Sequence, residues 1–204
     1  MLAFNDAVKA SGIPKDQLVN FLKAGYVPQP KQMEFHAACR SCDDAQGPEK
    51  IGFGGARGGG KTAASFAQVA IDDCQRKPGI KALFLRKVSK SARESVEDLR
   101  RRFLKQTPHT WKSQAGIIEF PNGSRIFIGH FARENDIDTY LGLEYDLIAI
   151  EEDTQLSSKK KGEILTCLRT SKPKWRPRSY HTTNPGGIDH VGFKKEFVDP
   201  YRRG

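Results

Sequence analysis

An α/β fold, a mainly parallel β-sheet flanked by helices, follows from three features of this 204-residue chain. Short apolar runs of strand length, at residues 51–54, 82–85 and 147–150, are separated by stretches with helical periodicity, the pattern of βαβ units. Polar residues stand at three strand ends, in the P-loop after 54, in the acids after 150 and in Thr183-Asn184 after 182, where ligands sit on an open parallel sheet. Between the first run and a helix-forming run stands Gly55-Ala56-Arg57-Gly58-Gly59-Gly60-Lys61-Thr62, which fits G-x-x-x-x-G-K-[ST], the phosphate-binding P-loop.

Residues 1–29 form a short helical N-terminal segment, set off from a P-loop domain at 30–204 by Pro28-Gln29-Pro30. A helix is expected from Lys31 to about Ala45, ended by the Gly47-Pro48 break, and then the first buried strand. Ala63, Ala64, Phe66, Ala67, Val69, Ala70 and Ile71 make the helix after the P-loop apolar. Lys77-Pro78-Gly79 turns the chain into the strand at 82–85. Ser91-x-x-Glu94 offers a capping box for a helix whose apolar face carries Ala92, Val96, Leu99 and Phe103, with Arg100, Arg101 and Arg102 around it. Residues 117–120, the Pro121-Asn122-Gly123 turn and residues 125–128 read as a hairpin inserted before the next core strand. Leu147-Ile148-Ala149-Ile150 is that strand, and 179–182 is one more.

The P-loop residue types are those a triphosphate demands. Glycine permits backbone angles that turn successive N–H groups inward, so Gly55, Gly58, Gly59 and Gly60 cradle phosphate at the start of the next helix. Lys61 reaches the β- and γ-phosphates, and the Thr62 hydroxyl joins a Mg²⁺ shell completed by an acid, phosphate and water. Glu151, ending the apolar strand, takes the metal-orienting role, and Glu152 beside it is positioned to polarise the attacking water as general base. Asp153 reads as a solvated turn acid. Arg57, inside the loop, supplies positive charge where the transition state gains negative charge. The catalytic set is therefore Glu152, Arg57 and Lys61, with ATP and Mg²⁺ as the cofactors.

A formal net charge of +10 points to a polyanionic partner. Between Arg76 and Lys105 eleven basic residues face three acids, and between Lys159 and Arg178 eight face one. From Phe131 to Gln155 eight acids face Arg133 alone, so charge is segregated along the chain. No run approaches the roughly 18 apolar residues of a membrane span, and the N-terminus lacks a signal peptide's order, so a cytoplasmic, non-membrane protein is expected. Cys39, Cys42, Cys74 and Cys167 suit a reducing compartment without disulfides. His36, Cys39 and Cys42 form H-x-x-C-x-x-C, but no second close pair completes a tetrahedral metal set.

Three segments in order, Arg57-Gly58-Gly59-Gly60-Lys61-Thr62, Tyr145-Asp146-Leu147-Ile148-Ala149-Ile150-Glu151-Glu152 and Thr182-Thr183-Asn184-Pro185, resemble the ATPase domain of the large terminase subunit of tailed bacteriophages, over roughly residues 26–187. The resemblance implies an ASCE/RecA-like P-loop NTPase that hydrolyses ATP to translocate viral double-stranded DNA into a procapsid, in the host cytoplasm at the portal. It implies phosphate contacts to DNA without sequence preference. It also implies portal protein and terminase small subunit as partners, and a homo-oligomeric ring when packaging, with a monomer in isolation. Gln32 takes the place of an adenine-reading glutamine, and Thr183 and Asn184 that of the coupling motif. Two features depart from the family. Leu141-Gly142 stands where members often carry Arg-Gly, which leaves the intersubunit arginine finger unassigned, with Arg133 and Arg125 as weak candidates. The chain stops at Gly204, so the C-terminal nuclease domain is expected to be absent. The alternative readings are a helicase-like or other nucleic-acid remodelling ATPase, which would share the loop and acids, and a nucleotide-gated assembly module that barely hydrolyses ATP.

Overall fold

The structure, a computed structural model, describes residues 2–87 and 90–201, without the side chains of residues 2 and 90–95. Helices α1 (Leu2–Ser11), α2 (Lys15–Lys23) and α3 (Pro30–Ser41) precede strand β1 (Lys50–Gly54). Pro30 suits the first turn of α3, where its missing N–H leaves no bond unmade, and the Gln29 N–H donates to Gln32 Oε1 at 2.8 Å. After the P-loop, α4 (Lys61–Ala67) passes through a π-helical stretch, Gln68–Asp73, into α5 (Cys74–Arg76). Then follow β2 (Lys81–Lys87), α6 (Lys90–Phe103), β3 (Thr110–Lys112), β4 (Ile117–Glu119), β5 (Arg125–Phe131), β6 (Leu147–Ile150), α7 (Ser158–Leu165), β7 (Arg178–Thr183) and α8 (His190–Phe197). The capping pair Ser91 and Glu94, with Ala92, lies outside the described side chains.

The seven strands form one sheet in the order β1-β7-β6-β2-β5-β4-β3. The first five are parallel, and β4 runs antiparallel to both β5 and β3. This is the expected mainly parallel sheet, with β7 standing between the P-loop strand and the acidic strand. The hairpin expected at 117–128 exists, and it does more than decorate the sheet. Its second strand pairs along its whole length with β2, from Lys81 beside Arg125 to Lys87 beside Phe131, so β5 is a core strand.

The central strands are covered on both faces, which is why they read as unbroken apolar runs. Ala82 and Phe84 of β2 and Leu147 and Ala149 of β6 join one core with α2, α3 and the helix after the P-loop. Their alternates Leu83, Leu85, Ile148 and Ile150 join a second core with Phe131, Tyr145 and Ile164. The N-terminal helices belong to the first core through Ile13, Leu18, Phe21 and Tyr26.

Beneath that face runs a buried polar network. Asp72 takes a two-pronged ion pair from Arg40, and Gln68 bridges Asp72, Asp73 and the His36 ring. His36, the first residue of the H-x-x-C-x-x-C pattern, also meets the Tyr26 hydroxyl at 3.0 Å, and burial pushes its pKa down to about 4. The basic stretches are therefore partly spent inside. Arg178 is buried against Trp175 and paired with Asp43 at 2.8 Å, and Arg76 pairs with Asp43 and Asp73. Arg101, Arg102 and Lys105 on and after α6, and Lys159, Arg169 and Lys174, remain exposed. Among the described residues no helix is long and apolar enough to cross a membrane.

Candidate active site

Parallel pairing brings three strand ends to one edge of the sheet. Gly54 is in register with Thr183, and Ile150 with His181, so the P-loop, the acids after β6 and the residues after β7 emerge side by side. They surround a cavity of about 370 Å³ lined by Arg57, Gly58, Gly59, Gly60, Lys61, Thr62, Glu151, Glu152, Thr182, Thr183 and Asn184. Of the site residues expected from sequence, Gly55 lies at the start of the loop and Gln32 stands behind it.

Gly60, at φ 67° and ψ 22°, is the left-handed residue that opens α4. A Cβ there would also lie 2.5 Å from Gln32 Nε2, so Gly60 is glycine for both its backbone angle and its neighbour. Gln32 is buried, and its amide holds the loop from below by donating to Gly60 O at 3.1 Å and Gly59 O at 3.4 Å. With its Oε1 taken by the Gln29 N–H, it acts in this structure as a brace of the P-loop. Lys61 Nζ donates to the carbonyls of Gly55 at 3.0 Å and Ala56 at 2.7 Å, bonds a phosphate would replace. Burial lowers the Lys61 pKa, and the charge of Glu151 acts the other way.

Glu151 is 2% exposed. Burial raises its pKa, opposed by the Thr182 hydroxyl, which donates at 2.6 Å, by the nearby Thr62 hydroxyl and by the charge of Arg86. Thr62 and Glu151 line the same cavity, so the P-loop hydroxyl and the buried carboxylate face one space. A hydroxyl beside one carboxylate is a set of hard oxygen donors, and Mg²⁺ takes few protein ligands, filling its shell with phosphate and water. The residues present fit that ion.

Glu152 is half-buried and held at φ 55° and ψ 42°, a left-handed conformation uncommon for glutamate. Asp153, by contrast, corrects the expectation of a solvated acid. It is fully buried, its carboxylate 2.7 Å from both Lys161 Nζ and His181 Nδ1. Burial works to raise its pKa, but the bonds and charges of His181 and Lys161 outweigh it and hold the carboxyl below its ordinary value.

Sequence reasoning missed Thr182, Thr154 and Lys87. Thr154 and Thr183 share a buried hydroxyl bond of 2.7 Å that ties the acidic turn to the end of β7. Lys87, at the end of β2, bonds Gln155 at 3.0 Å and shares with Arg57, Glu152 and Asn184 an adjoining cavity of about 300 Å³. The run of hydroxyls at Ser179, Thr182 and Thr183 inside a buried strand was the available signal. Of the two weak finger candidates, Arg125 is at the amino end of β5, over the Phe127 ring and away from the cavity edge. Arg133 is exposed just past its carboxyl end.

A family model described as phage terminase large subunit matches residues 49–203. The curated proteins contain no match to this chain. Among solved structures, the large terminase of the thermophilic bacteriophage D6E in complex with ADP superposes with a TM-score of 0.63 at 17% identity, over 84% of this chain and 42% of that one. A variant of the Thermus phage P74-26 large terminase ATPase domain gives 0.63 at 17% identity, over 90% of this chain and 75% of that one. The Sulfolobus solfataricus SWI2/SNF2 ATPase core in complex with double-stranded DNA gives 0.53 at 14%, over 81% and 33%. At such identities the superpositions establish the fold alone, and this chain spans about two fifths of the D6E protein.

Gly60→Ala tests the loop geometry. With the left-handed angle penalised and the Gln32 amide displaced, affinity for a nucleoside triphosphate falls about tenfold or more in calorimetric titration while the chain stays folded. Unchanged affinity would mean that phosphate does not use this loop.

Proposed function

The chain belongs to the phage terminase large subunit family, and from that premise we propose that it is a Mg²⁺-dependent ATPase, the motor that drives viral double-stranded DNA into a procapsid. The observation that carries the reading is the single cavity shared by Lys61, Thr62, Glu151, Glu152, Thr183 and Asn184. The ADP bound by the D6E relative supports the ligand class.

In this reading the backbone amides of the P-loop and the Lys61 ammonium bind the β- and γ-phosphates. Thr62 and Glu151 would hold Mg²⁺, and the ion would supply charge neutralisation at the phosphate oxygens. Glu152 accepts a proton from the water that attacks the γ-phosphorus, in line with the departing ADP oxygen. Arg57, exposed on the rim, swings over the γ-phosphate to offset its growing negative charge. Gln32 reads adenine once nucleotide draws its amide from the loop carbonyls. Thr183 and Asn184 face the γ-phosphate, and the Thr183–Thr154 bond carries its loss into the neighbouring segment.

In a ring of copies, Arg133 is the better placed of the two candidates to reach a neighbour's site. Portal protein and small subunit are the partners this reading requires, and the host cytoplasm is where it acts. A helicase-like remodelling ATPase would share loop and acids, but family membership favours the packaging motor. DNA is held by phosphate contacts from exposed cations such as Arg101, Arg102 and Lys159.

Two measurements check this. Glu152→Gln keeps ATP binding and loses hydrolysis by about 10²-fold or more in a steady-state phosphate-release assay, and unchanged turnover rejects the base. Duplex DNA of unrelated sequences binds equally, with affinity falling about tenfold or more between about 50 and 200 mM salt. Sequence-selective binding that ignores salt would count against a packaging grip.

A further inference from the structure

Behind the acidic turn lies a buried charge cluster that no step of the proposed reaction uses. Lys161, on α7, places Nζ 2.7 Å from Asp153 Oδ1 and 2.5 Å from Asp189 Oδ2, with the three side chains 8%, 0% and 13% exposed. The second Asp153 oxygen meets His181 Nδ1 at 2.7 Å, and His181 Nε2 meets Ser179 Oγ at 2.8 Å. With Asp153 ionised, the network assigns the imidazole proton to Nδ1, and Nε2 accepts from the Ser179 hydroxyl. The second Asp189 oxygen accepts from Ser158 Oγ at 2.8 Å. Buried ions are retained only where each is compensated, so Lys161 is the charge on which both carboxylates depend.

What the cluster secures is visible on either side. Glu152, directly before Asp153, sits at φ 55°, a conformation that surroundings must impose on a non-glycine residue. Thr154, directly after it, accepts from the Asp189 N–H at 3.1 Å and bonds Thr183 through its hydroxyl. A Cβ on Gly187 would lie 2.4 Å from Thr154 O, and one on Gly192 would lie 2.3 Å from Asp189 Oδ1. Residues 183–192 are thus moulded onto the turn at 152–154, and Lys161 closes the seam between them.

We propose that Lys161 is a positioning residue: by compensating Asp153 and Asp189 together it holds Glu152 in its imposed backbone conformation and locks the acidic turn to the segment after Thr183-Asn184, so that general base and coupling residues shift as one body. The inference rests on the reading of Glu152 as the base. It places the link between hydrolysis and movement in a side chain that touches neither nucleotide nor metal.

The test compares Lys161→Met, Lys161→Arg and Asp189→Asn in the full chain, with ATP and Mg²⁺, by kcat, KM, melting temperature and amide hydrogen exchange. Wild-type turnover and its loss in Glu152→Gln are measured first, and failure there sinks the ATPase reading rather than this one. For Lys161→Met the expected result is kcat lowered about 10- to 100-fold with KM within about twofold. Exchange is expected to speed up about tenfold in peptides covering both 151–157 and 184–190 and not across the sheet, with partial recovery in Lys161→Arg. If Lys161→Met does not fold, Asp189→Asn carries the test: the Lys161–Asp153 pair stays, and faster exchange at 184–190 with lowered kcat supports the seam. Wild-type kcat in a folded variant, or loss of kcat that only tracks a uniform rise in exchange, overturns the proposal.

Discussion

Parallel pairing of β1, β7 and β6 is the constraint on which everything else in this molecule depends. The P-loop, the twin glutamates and the Thr-Asn pair lie far apart in sequence, and only strands that run in the same direction can discharge all three at one edge. The pairing is secured by burial on both faces, with alternate residues of β2 and β6 feeding two separate cores. Parallel sheets need such cover, and the helices that supply it are the crossovers that make the strands parallel. Site and core are therefore consequences of one arrangement.

Desolvation is the second governing effect. Glu151, Asp153 and Asp73 are all buried, and each is compensated differently. Glu151 takes the Thr182 hydroxyl and faces the cavity beside Thr62, while burial raises its pKa. Asp153 has a lysine and a histidine on it and its pKa is lowered, which marks it as structural charge. Asp73, beside Asp72 in the interior, is pushed up to about 6. Two acids a single residue apart, Glu151 and Asp153, thus acquire opposite character from their surroundings, and Glu152 between them keeps access to the cavity.

Much of this was legible in the sequence where a local rule suffices. Left-handed glycines, the Lys-Thr pair and the apolar strand before the acids each answer to one chemical demand within a few residues. β5 was harder: the Asn-Gly turn correctly announces a hairpin, but pairing with β2 is a long-range contact that leaves no local mark. Asp153 looked solvated because its partners are 8 and 28 residues away. The positive stretches overstated the free surface charge, since burial of Arg178 and Lys161 against acids elsewhere in the chain is invisible in a count of residues. Gln32 was placed near the nucleotide from sequence, but its grip on the Gly59 and Gly60 carbonyls depends on how α3 docks.

The central claim is that a triphosphate tail lies on the amides ahead of Lys61 with the twin glutamates turned toward its terminal group. A crystal structure of the chain with Mg²⁺ and a non-hydrolysable ATP analogue tests it most directly. The account predicts phosphates cradled by residues 55–62, the ion between Thr62 and Glu151, and the Glu152 carboxylate facing the γ-phosphate. Nucleotide bound elsewhere, or a Glu152 side chain directed away from it, would contradict the account.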